Sequence, residues 1–237
     1  MQLPTLDRRL QVDMLPAVDV ELCQSADRMR SLLESAWATP AVFRTALDQV
    51  PPAERDAWLD RVLDLDAIPA DSPALPRGCV PYLPCPVDAL LRLVDRVGVH
   101  ATDVFVDLGA GVGRAAALVH LLTGATTIGI EIQPALVLAS RALSTRLKGL
   151  RFAAVEGDAA RLAGYITIGS IFFLYCPFGS DRVEAVLDDL ELIAHTRPIR
   201  VCSVDLPLPP RPWLALDADP AFGDLAVYRS TLLDTPR

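Results

Sequence analysis

The chain has 237 residues, about half of them apolar, and a net charge of −8. That length suits one large α/β domain with an added segment, or two small domains, and that hydrophobicity argues against disorder. The acidic balance argues against nucleic acid as a partner, and a single lysine, Lys148, provides no lysine cluster for an anionic membrane.

Residues 1–75 carry no glycine and read as an N-terminal helical segment, either a lid or acceptor-binding element or a scaffold packed on the sheet. Leu22, Met29, Leu32, Leu33 and Trp37 fall at helical spacing. Pro51-Pro52-Ala53-Glu54 opens another helix, with Trp58, Leu59, Val62 and Leu63 on one face. Pro69 to Pro86 is crowded with proline and reads as an ordered connector.

Residues 76–237 alternate between helix and strand patterns. Val87 to Val97 is an amphipathic helix and Asp103 to Asp107 a first strand. A very apolar helix follows over Val112 to Leu122. Thr126 to Ile130 is a second strand ending in Glu131, and Gln133-Pro134 opens a helix to about Leu147. Arg151 to Val155 is a third strand, running out at Gly157-Asp158. Ile171 to Tyr175 is the fourth strand, Ser180 to Ala194 a helix, and Ile199 to Val204 the fifth strand. Four prolines in the eight residues from Asp205 to Pro212 exclude a helix there, and Trp213 to Leu216 with Leu225 to Tyr228 form a closing hairpin. The alternation predicts an α/β, Rossmann-like, doubly wound and mostly parallel sheet with right-handed crossovers. Ligands bind such sheets beyond the carboxyl ends of the strands, where Asp107, Glu131, Asp158 and Cys176 fall.

The segment Val104 to Gly113, VFVDLGAGVG, is a buried strand, an acid and a glycine turn, the unit with which α/β proteins hold adenosine-bearing ligands. A nicotinamide fingerprint needs a third small residue where this chain has Arg114, and Asp107 would repel a pyrophosphate. S-adenosylmethionine has a ribose, an adenine and an ammonium group and no phosphate, and it suits these residues. Glu131 is placed to accept the ribose hydroxyls, and Asp158 to accept from the adenine amino group. Asp158 also suits the N-cap of a short helix.

The runs VFVDLGAGVGR, GIEIQPALVLASRA and VEGDA resemble the class I S-adenosylmethionine-dependent methyltransferases over roughly Pro81 to Tyr228. Within that superfamily the DLGxGxGR form and the upstream Tyr82-x-Pro84 are most similar to Dot1-like and related lysine N-methyltransferases. The resemblance implies that Asp107, Gly109, Gly111 and Gly113 hold the methionine end. It assigns Glu131 to the ribose, Asp158 with Ala159 to the adenine, Ile132 to the cofactor-binding residues without a finer role, and Tyr82 to a segment covering the cofactor. The acceptor would meet the methyl group at the fourth strand end, at Tyr175, Cys176, Pro177 and Phe178. There the chain departs from the (Asn/Asp)-Pro-Pro-(Tyr/Phe) pattern, with Cys176 in place of the polar residue and one proline fewer. Asp205 is a candidate base or amine anchor.

The expected activity is methyl transfer to an amine such as a protein lysine. The alternatives are a small-molecule O- or N-methyltransferase, and a non-catalytic S-adenosylmethionine-binding interaction protein. Five cysteines at irregular spacing and three isolated histidines form no metal or disulfide pattern, so no metal is expected. The chain shows no basic-then-apolar leader and no apolar run of bilayer length, so a cytoplasmic protein is expected.

Overall fold

In the computed structural model, residues 17–65, 67–176, 178–217 and 225–231 are described. Three helices come first: α1 (Ala17–Glu34), α2 (Pro40–Asp48) and α3 (Arg55–Leu63). Thr39 caps α2 by accepting from the Val42 N–H at 3.3 Å, and Pro40 occupies the first turn, where a missing N–H costs nothing. Ala36 takes a left-handed φ of 60° just after α1. The chain therefore turns away before Trp37, which is 77% exposed and lies off the apolar face that the helical spacing assigns to it.

Helix α4 (Val87–Val97) leads into β1 (Val104–Leu108), α5 (Arg114–Thr123), β2 (Thr126–Glu131), α6 (Pro134–Arg146) and β3 (Phe152–Glu156). Then come α7 (Ala159–Leu162), β4 (Ile171–Tyr175), α8 (Ser180–Ala194), β5 (Arg200–Val204), β6 (Leu214–Leu216) and β7 (Leu225–Ser230). The sheet order is β3-β2-β1-β4-β5-β7-β6, parallel from β3 to β5 and antiparallel at β7 and β6. The chain reverses its direction of travel across the sheet between β1 and β4, and the carboxyl ends of these central strands frame a ligand crevice. Helix α5 starts at Arg114 rather than at Val112, because Gly111 and Gly113 have φ of 55° and 83° and cannot continue a right-handed helix.

Both faces of the sheet are covered. On one face Phe105, Phe173 and Cys202 pack with α4, α5 and all three N-terminal helices. Phe43, Leu47, Trp58 and Leu59 are fully or almost fully buried in this layer, a gain of about 1.5–3 kcal/mol per large side chain. On the other face Val106, Phe172 and Val201 pack with α7, α8 and Trp213.

Candidate functional site

A pocket opens at the carboxyl ends of β2, β3 and β4, with about 550 Å³ of empty space including its open mouth. Glu131, Ile132, Asp158, Ala159, Tyr175, Phe178 and Gly109 line it. The connector adds Cys79, Val80, Tyr82 and Leu83 to the lining. Eight residues singled out in the sequence therefore meet in one place: Tyr82, Gly109, Glu131, Ile132, Asp158, Ala159, Tyr175 and Phe178.

Asp107 is not among the residues that line this pocket and is 3% exposed. Among the described residues no donor reaches its carboxylate within hydrogen-bond distance. Burial, with a smaller contribution from the nearby Glu131 charge, pushes its pKa up to about 7. Such a carboxyl is poised to accept a cation, whose charge would restore its ionised form.

Glu131 is held from two sides. Its Oε2 accepts from the Gly111 N–H and its Oε1 from the Gln133 N–H, both at 2.8 Å. Each carboxylate oxygen keeps a further lone pair, so the pair still suits a ribose diol. Asp158 caps α7 by accepting from the Ala160 N–H at 3.1 Å and pairs with Arg182 at 2.7 Å, both through Oδ1. Gly113 faces away from the pocket: a Cβ there would lie 2.5 Å from the Phe152 ring and 2.6 Å from Ser140 Oγ.

Tyr82 lies across the glycine turn. A Cβ at Gly111 would sit 2.1–2.2 Å from its ring, so this glycine is needed for close approach as well as for its φ. The Tyr82 hydroxyl is buried and has no hydrogen-bond partner among the described residues, and burial pushes its pKa well above the usual phenol value. Arg114, which the glycine pattern leaves unassigned, is 2% exposed. It donates to Asp60 at 2.5 Å, to Asp56 at 2.8 Å and to the Cys85 carbonyl at 2.7 Å, tying α3 and the connector to the turn.

At the acceptor side, Cys176 and Asp205 both have left-handed backbones, with φ of 41° and 52°. The Cys176 thiol donates to the Asp205 carbonyl at 2.9 Å, and burial pushes its pKa up. It is therefore a held thiol, not a thiolate, and neither residue lines the pocket. Pro177 lies outside the described residues. Cys79 and Phe178 meet at a single antiparallel bridge, with Gly179 N–H donating to the Gly78 carbonyl at 2.8 Å.

Residues 85–150 match the family model described as histone methylation protein DOT1. The chain carries the class I S-adenosylmethionine-dependent methyltransferase pattern, in a Dot1-like form. A putative methyltransferase, yhhF, from Escherichia coli shares the fold at a TM-score of 0.51, with 15% identity over 69% of this chain and 90% of that one. An RNA methyltransferase from Salinibacter ruber, solved with S-adenosyl-L-homocysteine, is 27% identical over 62% of this chain and 92% of that one, at a TM-score of 0.49. No curated protein matches the sequence. The family model points to methyl transfer with S-adenosylmethionine as the cofactor. The site suits that group: the buried Asp107 carboxyl favours a cation and the Glu131 carboxylate a diol, and two acids at the strand ends disfavour a phosphate.

Val80 and Leu83 of the connector, and the side chain of Gln133 ahead of α6, were not assigned to the site by sequence. No motif marks them, because they reach the pocket through contacts with partners far away in the chain.

Proposed function

We propose that the protein transfers the methyl group of S-adenosylmethionine to an amine nitrogen, nominally a lysine side chain of a protein. The observation that carries this reading is the Dot1-like match, which runs from Cys85 at the end of the connector through the glycine turn to Leu150. The acidic character of the chain adds to it, since a net charge of −8 attracts basic acceptors.

Bound S-adenosylmethionine supplies a methyl group already activated on a sulfonium. The protein's own task is to hold the two reactants in line and to exclude water. In this reading Asp107 binds the ammonium, Glu131 the ribose and Asp158 the adenine. Tyr82 and the connector cover the bound molecule. Tyr175 and Phe178 form an aromatic wall where the acceptor nitrogen enters, and backbone carbonyls at the fourth strand end accept its N–H groups. Pro177 and Asp205 are further acceptor-side candidates. The N-terminal helices act as a scaffold that fixes α5, and through it the glycine turn.

Incubation with methyl-labelled S-adenosylmethionine and a cell lysate tests the acceptor. Base-stable label in the protein fraction is expected, recovered as methyl-lysine after hydrolysis. Label confined to small molecules, or label released by mild base as from a methyl ester, would reject the lysine assignment.

A further inference from the structure

Gln133 does more than start a helix. It is 4% exposed, and its side-chain amide is satisfied at both ends by the connector. Nε2 donates to Asp71 Oδ1 at 2.8 Å, and Oε1 accepts from the Ser72 N–H at 2.7 Å. These two partners fix the orientation of the amide, because one only accepts and the other only donates. Asp71 Oδ1 also accepts from the Tyr82 N–H at 2.8 Å. The Tyr82 ring lies on Gly111, the Gly111 N–H donates to Glu131, and Glu131 accepts from the Gln133 backbone. The contacts close into a ring: Gln133, Asp71, Tyr82, Gly111, Glu131 and back to Gln133. Three of its members, Tyr82, Glu131 and Gln133, line the pocket.

We infer that Gln133 is a positioning residue that latches the connector over the pocket, and so sets how tightly and how long the cofactor is held. The inference rests on the proposed cofactor site. A side chain that carries both a donor and an acceptor is required here. Glutamate would keep the bond to Ser72 but place a second negative charge against Asp71. Asparagine at position 71 would remove that repulsion and its oxygen would still accept from Tyr82, but it would not restore the lost bond, because the same Oδ1 position meets both Gln133 and Tyr82.

The test is titration of S-adenosylhomocysteine, with its release rate, into the full chain and the variants Gln133→Ala, Gln133→Glu and the double variant Asp71→Asn/Gln133→Glu. The parent should bind. Gln133→Ala and Gln133→Glu should each bind at least about tenfold more weakly, chiefly through faster release, as expected when a cover is loosened rather than a contact redesigned. The double variant should recover only the part of the Gln133→Glu loss that comes from charge repulsion, leaving binding near that of Gln133→Ala. Amide exchange over residues 71–83 should quicken in the single variants and slow partway back in the double. If Gln133→Ala does not fold, the glutamate variant and its partial rescue carry the test. Parent protein that fails to bind S-adenosylhomocysteine would overturn the cofactor site and the latch together. A parent that binds, with single variants within twofold of it or with no partial rescue in the double variant, would overturn the latch alone.

Discussion

Asp107 holds its proton up to about pH 7 in the folded chain, against 3.8 for a free carboxyl. The native state therefore binds this proton more tightly than the unfolded state. Its contribution to stability is fully present below 3.8 and is lost as pH rises through 7. Replacing Asp107 with Asn should remove this dependence. The ligand-free variant should be more stable than the parent at pH 8, by up to about 4 kcal/mol, and should show no such gain near pH 4. Thermal melts across that range check the sign, and a variant that loses stability at pH 8 would contradict it. Gly111→Ala is the complementary change, because the new methyl group meets the Tyr82 ring and the backbone φ of 55° is strained for alanine. A loss of about 1–3 kcal/mol in chemical denaturation, with cofactor affinity reduced at least about tenfold, is expected. At this scale the acids at the strand ends were legible, since Asp107, Glu131 and Asp158 each follow a readable strand. The Gln133–Asp71–Tyr82 contacts were not, because their partners lie 62 and 11 residues apart and no local pattern records them.

Helix α5 begins with a cation, Arg114, where the helix dipole favours an anion. Asp56 and Asp60 of α3 offset that cost, and Asp56 also accepts from the Val87 N–H at the start of α4 at 3.0 Å. Two helix starts are thus fixed by one turn of α3. Asp60→Asn alone should be mild, since Asp56 and the Cys85 carbonyl still face the guanidinium. The pair Asp56→Asn/Asp60→Asn leaves a buried charge without an acid and should cost about 3–5 kcal/mol in urea denaturation. A loss below about 1 kcal/mol would show that the clamp does not hold these elements. The element order was readable from periodicity and from proline and glycine positions. The role of Arg114 was not, because the sequence shows only that it breaks the nicotinamide fingerprint, and its acids lie 54 and 58 residues upstream.

Across the whole molecule, the alternating pattern after Pro86 specified the sheet, and the antiparallel closing strands followed from a proline-rich link too stiff for a helix. The sequence left the N-terminal helices open between lid and scaffold. In the structure Phe43, Leu47, Trp58 and Leu59 join the same buried layer as Leu90 and Leu118, and among the described residues none of 17–65 lines the pocket. Removing residues 1–65 should therefore expose the apolar faces of α4 and α5 and give aggregated or unfolded protein by circular dichroism. A soluble, cooperatively melting fragment would contradict this packing account.

The claim that joins these scales is that Asp107 receives the ammonium of an S-adenosylmethionine-type ligand. Isothermal titration with S-adenosylhomocysteine between pH 5.5 and 7 tests it most directly. The account predicts one site per chain, affinity rising up to about tenfold per pH unit as Asp107 ionises, proton release on binding below pH 7, and no binding to Asp107→Asn. Binding that is flat across this range, or that survives in Asp107→Asn, would contradict it.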